Sequence, residues 1–136
     1  MKKLLLIILI LYFSGLSAYA PIRKVLYIKE AIPIQPYEKI WDAVCQIESN
    51  KRPYAFNEEE NARGIAQIRP IRLRDFNKLT GKHYTIDDMY DVKKSKEVFL
   101  YYATQYECSN PEKIVRKWNG SGKKTITYWN KVKVLL

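Results

Sequence analysis

The sequence predicts an all-α domain. Apolar residues recur three and four positions apart in five separate stretches, the period of helices packed along one face. Most of those stretches begin or end at residues suited to the task, among them Pro70, Gly81, Asp91, Asn110 and Pro111. No run alternates apolar and polar residues in the manner of a strand. At 136 residues the chain suits one domain, and 47% hydrophobic residues suffice for a packed core.

The N-terminus reads as an export signal. Met1, Lys2 and Lys3 are followed by an apolar run from Leu4 to Phe13 and then by the small-residue segment ending Ala18-Tyr19-Ala20. The apolar run is shorter than the ~20 residues a spanning helix needs. Residues 1–20 are therefore expected to be a signal peptide, and the protein to be exported to the periplasm or beyond the cell. Pro21 disfavours cleavage directly after Ala20, so an uncleaved segment is the one expected route to membrane contact. Residues 21–36 carry three prolines and no period, the pattern of a linker or N-terminal wrap. The domain is expected over 37–136.

The first helix closes with Ile40-Trp41-Asp42-Ala43-Val44-Cys45-Gln46-Ile47-Glu48-Ser49. Glu48 follows Val44 by four and Trp41 by seven, which places it on the apolar stripe. A carboxyl held against apolar surface resists ionisation, as a general acid requires. The alternative is a helix-end glutamate that bends out to water. Tyr54 to Asn61 is a polar loop whose Glu58, Glu59 and Glu60 are either solvated or the source of a second carboxylate. Gly64-Ile65-Ala66-Gln67-Ile68 is apolar around one amide. Pro70 opens a helix that Gly81 stops. His83, the sole histidine, has no partner at ligand spacing and reads as a surface residue, and no cofactor or metal is expected.

Asp91 caps a helix to about Tyr106, with Val92, Val98, Phe99, Tyr102, Ala103 and Tyr106 as its apolar face. Asn110 and Pro111 open a short helix that buries Ile114, Val115 and Trp118. Asn119 to Gly122 is a turn, and a last helix from Lys124 to about Val134 packs Tyr128, Trp129 and Val132. Cys45 and Cys108 either pair, as an exported chain permits, or leave Cys45 as a small buried thiol. The net charge of +10 favours an anionic partner such as nucleic acid, a membrane surface or an acidic wall polymer. No Lys/Arg arm or nucleic-acid motif accompanies it, so no nucleic-acid partner is expected. Eleven Tyr and three Trp suit a core, and equally a cleft in which flat rings meet sugar faces.

Three motifs in order resemble the lysozyme-like catalytic domain of soluble lytic transglycosylases, over about Tyr37 to Val132. Ile47-Glu48-Ser49 is similar to the family's Glu-Ser pair. Gly64-Ile65-Ala66-Gln67-Ile68 is similar to its Gly-Leu-Met-Gln-Leu, and Trp118-Asn119-Gly120-Ser121 to its Tyr-Asn-Ala-Gly. Tyr128 falls ten residues after Trp118, where the family carries a tyrosine. The resemblance implies Glu48 as catalytic acid, with Ser49, Gln67, Trp118, Asn119 and Tyr128 at the saccharide. It implies a monomer acting on peptidoglycan glycan strands. Ala66 replaces a sugar-contacting Met, which implies a looser subsite, and Ser121 replaces a Gly, which implies a different turn. Ser95 stands where the family often has Asn before its third helix.

Glycoside cleavage ordinarily uses two carboxylates. One well-placed acid fits cleavage assisted by the substrate's own N-acetyl group and 6-hydroxyl, which yields a 1,6-anhydro end. The competing expectations are a hydrolytic muramidase that recruits one of Glu58, Glu59 or Glu60, and a non-catalytic, basic peptidoglycan-binding module. An exported cationic antimicrobial protein rests on charge alone.

Overall fold

A computed structural model describes residues 35–106 and 110–136. The expected signal peptide, residues 21–34 of the expected linker and Cys108 lie outside the described residues. The described part is mostly helical, in accord with the all-α expectation.

Helix α1 runs Gln35–Ser49, so residues 35 and 36, expected in the linker, belong to the helix. The reason is local: Tyr37 is buried and falls three and four residues before buried Ile40 and Trp41, which extends the apolar stripe back one turn. At the other end, Asn50 and Lys51 take left-handed conformations, φ 53 and 58. Their N–H groups donate to the Gln46 and Cys45 carbonyls at 3.1 Å each, so the last open carbonyls of α1 are satisfied as the chain turns away.

Two short strands follow, β1 Phe56–Asn57 and β2 Ala62–Arg63, antiparallel with Phe56 opposite Arg63 and Asn57 opposite Ala62. Arg63 also bridges to Ile68. Two-residue strands are too short to show a period-two pattern, so only backbone pairing reveals them. Helix α2, Pro70–Thr80, starts at its proline and stops at Gly81, whose φ of 73 is left-handed and whose N–H donates to the Asn77 carbonyl. Ile86–Tyr90 forms a 3-10 helix held by reciprocal bonds between Thr85 and Asp88.

Helix α3, Val92–Gln105, is capped by Asp91, which accepts from the Lys93 and Lys94 N–H groups. Val92 is exposed rather than part of the apolar face, because it precedes the first turn that packs. Ser95 is buried inside α3, not ahead of it. Helix α4, Pro111–Asn119, is capped by the Asn110 side chain, and α5, Lys124–Val132, ends in a 3-10 turn over Lys133–Leu135. The core joins Val44 and Cys45 of α1, Phe76 of α2, Val98 and Phe99 of α3, Ile114 and Trp118 of α4 and Val132 of α5. Aromatic contacts bind the helices where they cross: Phe99 lies 5.3 Å from Trp41 and 5.1 Å from Trp118. Among the described residues no helix is long and apolar enough to cross a membrane.

Candidate active site

Two of the hollows are lined by glutamate. The larger, about 580 Å³, lies between α2 and α3 and is lined by Phe76, Leu100 and Tyr101. Its carboxylate, Glu97, is tied to Lys82 at 2.6 Å and holds its proton less readily than usual, because Lys82 and Tyr84 donate to it. A charged, paired group of that kind has no proton to give. A smaller cleft of about 260 Å³ differs: Glu48, Gln67, Trp118 and Asn119 line it together, with Glu60 at the same opening.

Glu48 sits half-buried at the C-terminal end of α1. Burial pushes its carboxyl above the usual range, and the negative Glu60 adds to this. The Tyr128 hydrogen bond and the Arg69 and Arg72 guanidinium groups pull the other way without cancelling burial. Tyr128 reaches across from α5 and donates its hydroxyl to Glu48 Oε1 at 2.7 Å. With Oε1 engaged, Oε2 is the oxygen left to carry a proton toward a ligand. Tyr128 itself is held firmly protonated, because burial and the adjacent carboxyl both disfavour a phenolate. It is therefore a fixed donor, and it gains strength when Glu48 becomes a carboxylate.

Gln67 lies on the opposing loop with a left-handed φ of 48. Its side-chain nitrogen donates to the Gly64 and Ala55 carbonyls at 2.9 and 3.2 Å, leaving the side-chain oxygen to accept from a ligand. A non-glycine residue in that conformation costs about 1 kcal/mol, and such outliers gather at functional sites. Ala66, its neighbour, is fully buried in the core and does not line the cleft.

Ser49 does not line the cleft either. It is buried, its hydroxyl donates to the Ile65 carbonyl at 2.7 Å, and it accepts from the Arg52 N–H at 3.1 Å. Its place is behind the acid, fastening α1 to the loop that presents Gln67. Tyr128 likewise stands behind Glu48 rather than on the cleft wall. Trp118 is buried against Phe99 and forms one wall, and Asn119, the last residue of α4, stands beside it. The turn that follows is built by Gly120 and Gly122, with φ of 133 and 82. Ser121, between them, is not asked for a left-handed conformation, which explains how the turn accepts a serine there.

Two arginines in the cleft were not singled out by sequence. Arg69 pairs with Glu60 at 3.4 Å. Arg72 donates from Nη2 to the Trp118 carbonyl at 2.6 Å, and its guanidinium lies 4.2 Å over the Trp118 ring. Arg69, Arg72, Leu73 and Phe76 share a helical face, a spacing that signals an edge of the buried stripe. The alternation Arg69-Pro70-Ile71-Arg72-Leu73-Arg74 hides it by resembling a solvated basic helix. Of the acidic loop residues, only Glu60 lines the cleft, and Glu58 and Glu59 are exposed outside it. Cys45, one turn before Glu48, is a buried free thiol whose pKa burial pushes up to about 12, so it stays neutral.

The arrangement supplies one proton donor, one hydrogen-bond donor behind it and cationic groups around it, the parts needed for acid catalysis on an oxygen leaving group. Comparison with protein-family models, curated proteins and solved structures finds no match to this chain.

The Tyr128–Glu48 bond has a measurable consequence if Glu48 acts as an acid. Removing a donor that favours the charged form raises the Glu48 pKa further. Tyr128→Phe is expected to move the alkaline limb of the pH–activity profile upward while lowering maximal turnover about tenfold, the worth of one hydrogen bond to a charged group. An unchanged limb would separate Tyr128 from the chemistry.

Proposed function

We infer that this protein is an exported peptidoglycan lytic transglycosylase with a lysozyme-like domain. It would cleave the β-1,4 bond between N-acetylmuramic acid and N-acetylglucosamine and leave 1,6-anhydro-muramoyl ends. The observation that supports the reading is a convergence. Glu48, Gln67, Asn119 and Tyr128 come from separate stretches of sequence, each marked by the family resemblance; the first three line one cleft, and Tyr128 donates to Glu48 from behind it. Core packing alone requires no such coincidence of polar groups.

In this reading Glu48 Oε2 gives its proton to the glycosidic oxygen, and the C1–O bond breaks. The carbonyl oxygen of the muramic acid N-acetyl group closes on C1 and carries the developing positive charge. Tyr128 stabilises the new Glu48 carboxylate. That carboxylate then takes the proton of the same sugar's 6-hydroxyl, whose oxygen attacks C1 and expels the acetamido oxygen. The 6-hydroxyl is already tethered to the ring, so proximity replaces a second base. Glu48 ends protonated, ready for another cycle. Gln67 and Asn119 orient the glycan, and Trp118 forms a wall beside it.

A second reading has its own observation. Glu60 stands at the same cleft and could activate water, which would make the protein a hydrolytic muramidase. Its pairing with Arg69 argues against a free base. Mass spectrometry of digested peptidoglycan decides between the two. Anhydro ends, lighter by one water than hydrolysis products, are expected. Ordinary reducing ends would give the reaction to the muramidase, and no released fragments would leave a binding module.

A further inference from the structure

We propose that Arg72 is a positioning residue for the glycan: it fixes the Trp118–Asn119 peptide in the cleft wall and so sets where the Asn119 amide meets a sugar. This rests on the glycan-cleaving reading above. Arg72 is the third residue of α2. A cation in the first turn opposes that helix's own dipole, and no acidic residue in the turn offsets it. Its favourable partner lies outside α2. Nη2 donates at 2.6 Å to the Trp118 carbonyl, one of the last four carbonyls of α4, which the helix itself leaves open. A cation at that end of α4 is stabilised by the α4 dipole.

Arg72 is gripped at both its side chain and its backbone. The guanidinium lies 4.2 Å over the Trp118 ring and 5.1 Å over the Tyr102 ring of α3. The Tyr102 hydroxyl donates to the Arg72 carbonyl at 3.0 Å. A peptide unit is planar, so a carbonyl fixed in direction also fixes the nitrogen and Cα of the next residue. That next residue is Asn119. On its other side the Gly120 N–H bonds the Arg116 carbonyl of α4. Asn119 is thus held between two pinned peptides, and Arg72 supplies the pin that comes from another element. The charge of Arg72 also lowers the Glu48 pKa, less than Tyr128 and Arg69 do, so position and charge have to be told apart.

The test is made in the full chain. Arg72→Lys keeps the charge and a donor but loses the planar fork that stacks and bonds at once. It is expected to raise KM for glycan oligomers about tenfold, the scale of one hydrogen bond to a charged group. Both kcat and the alkaline limb of the pH profile should change little. In an Asn119→Ala background the same substitution should cost almost nothing, because contacts that act through one residue do not add. Tyr102 lines a neighbouring hollow and not the Glu48 cleft. Tyr102→Phe keeps the ring and removes the bond to the Arg72 carbonyl. It should raise KM less, with the same dependence on Asn119, and it carries the test where Arg72→Lys fails to fold. Wild-type KM in a folded Arg72→Lys or in Asn119→Ala, or losses that add, overturns the proposal and leaves the transglycosylase reading intact. The same cycle, measured as affinity for glycan oligomers in Glu48→Gln proteins, reads position without cleavage. A coupled loss of affinity there, with no cleavage by the wild type, keeps the role of Arg72 and sinks the enzyme. Absence of binding and cleavage alike sinks both.

Discussion

Glu48→Gln is expected to lower turnover of peptidoglycan by about a hundredfold or more, the usual scale for loss of a general acid and base. The amide keeps the shape of the side chain and still accepts the Tyr128 hydrogen bond, but it cannot give and retake a proton. Stability should move the other way. Burial holds the native Glu48 carboxyl above its ordinary range. The native state therefore favours the protonated form, and its advantage is complete only below the ordinary carboxylate pKa. As pH rises through the raised value, the wild type loses that part of its stability and the glutamine variant does not. Melting curves should coincide in acid and separate near neutrality, with the variant equal or higher. Glu60→Gln should keep most of the activity, because its carboxylate is engaged with Arg69. Wild-type turnover in Glu48→Gln would end the assignment of this residue, and a Glu60→Gln protein as inactive as Glu48→Gln would transfer the reaction to a two-carboxylate mechanism.

Gly64→Ala is expected to destabilise the fold by about 3 kcal/mol or more, the sum of a left-handed penalty and a steric clash. Gly64 has φ of 80, and a Cβ placed there would lie 1.8 Å from the Met89 carbonyl oxygen. That oxygen cannot retreat easily, since it accepts a 2.6 Å hydrogen bond from the buried Ser95 hydroxyl of α3. The Gly64 N–H and carbonyl also matter to the cleft, bonding the Ala55 carbonyl and the Gln67 side chain. A displaced Gly64 should therefore disturb Gln67 as well as the fold. Thermal unfolding measures the first effect, and the affinity of the folded fraction for a glycan oligomer measures the second. A melting temperature within a degree or two of wild type would show that the loop relaxes freely.

The helices and Glu48 were legible because their signals are local. A buried stripe repeats within one element, and cap residues such as Asp91, Asn110 and Gly81 act on backbone groups within a turn of themselves. Glu48 could be placed on such a stripe without knowing what covers it. The strands were not legible, since two residues carry no period and the pairing is made by backbone groups that are the same in every sequence. Ser49 was expected at the saccharide and proves to be a fastener between α1 and the loop at Ile65, a role visible only once those segments meet.

By itself, then, the order of residues determined the helical class, the helix boundaries to within a turn or so, and the acid on an apolar face. Tertiary structure decided the rest of the site. It brought Tyr128 onto Glu48 from 80 residues away. It stacked Arg72 on Trp118 from 46 residues away and chose Glu60 from a run of three similar acids. The physical reason is range. Helical periodicity is written by contacts between near neighbours, whereas a carboxyl's proton affinity depends on every group that displaces water around it, and those groups are assembled only when the helices pack.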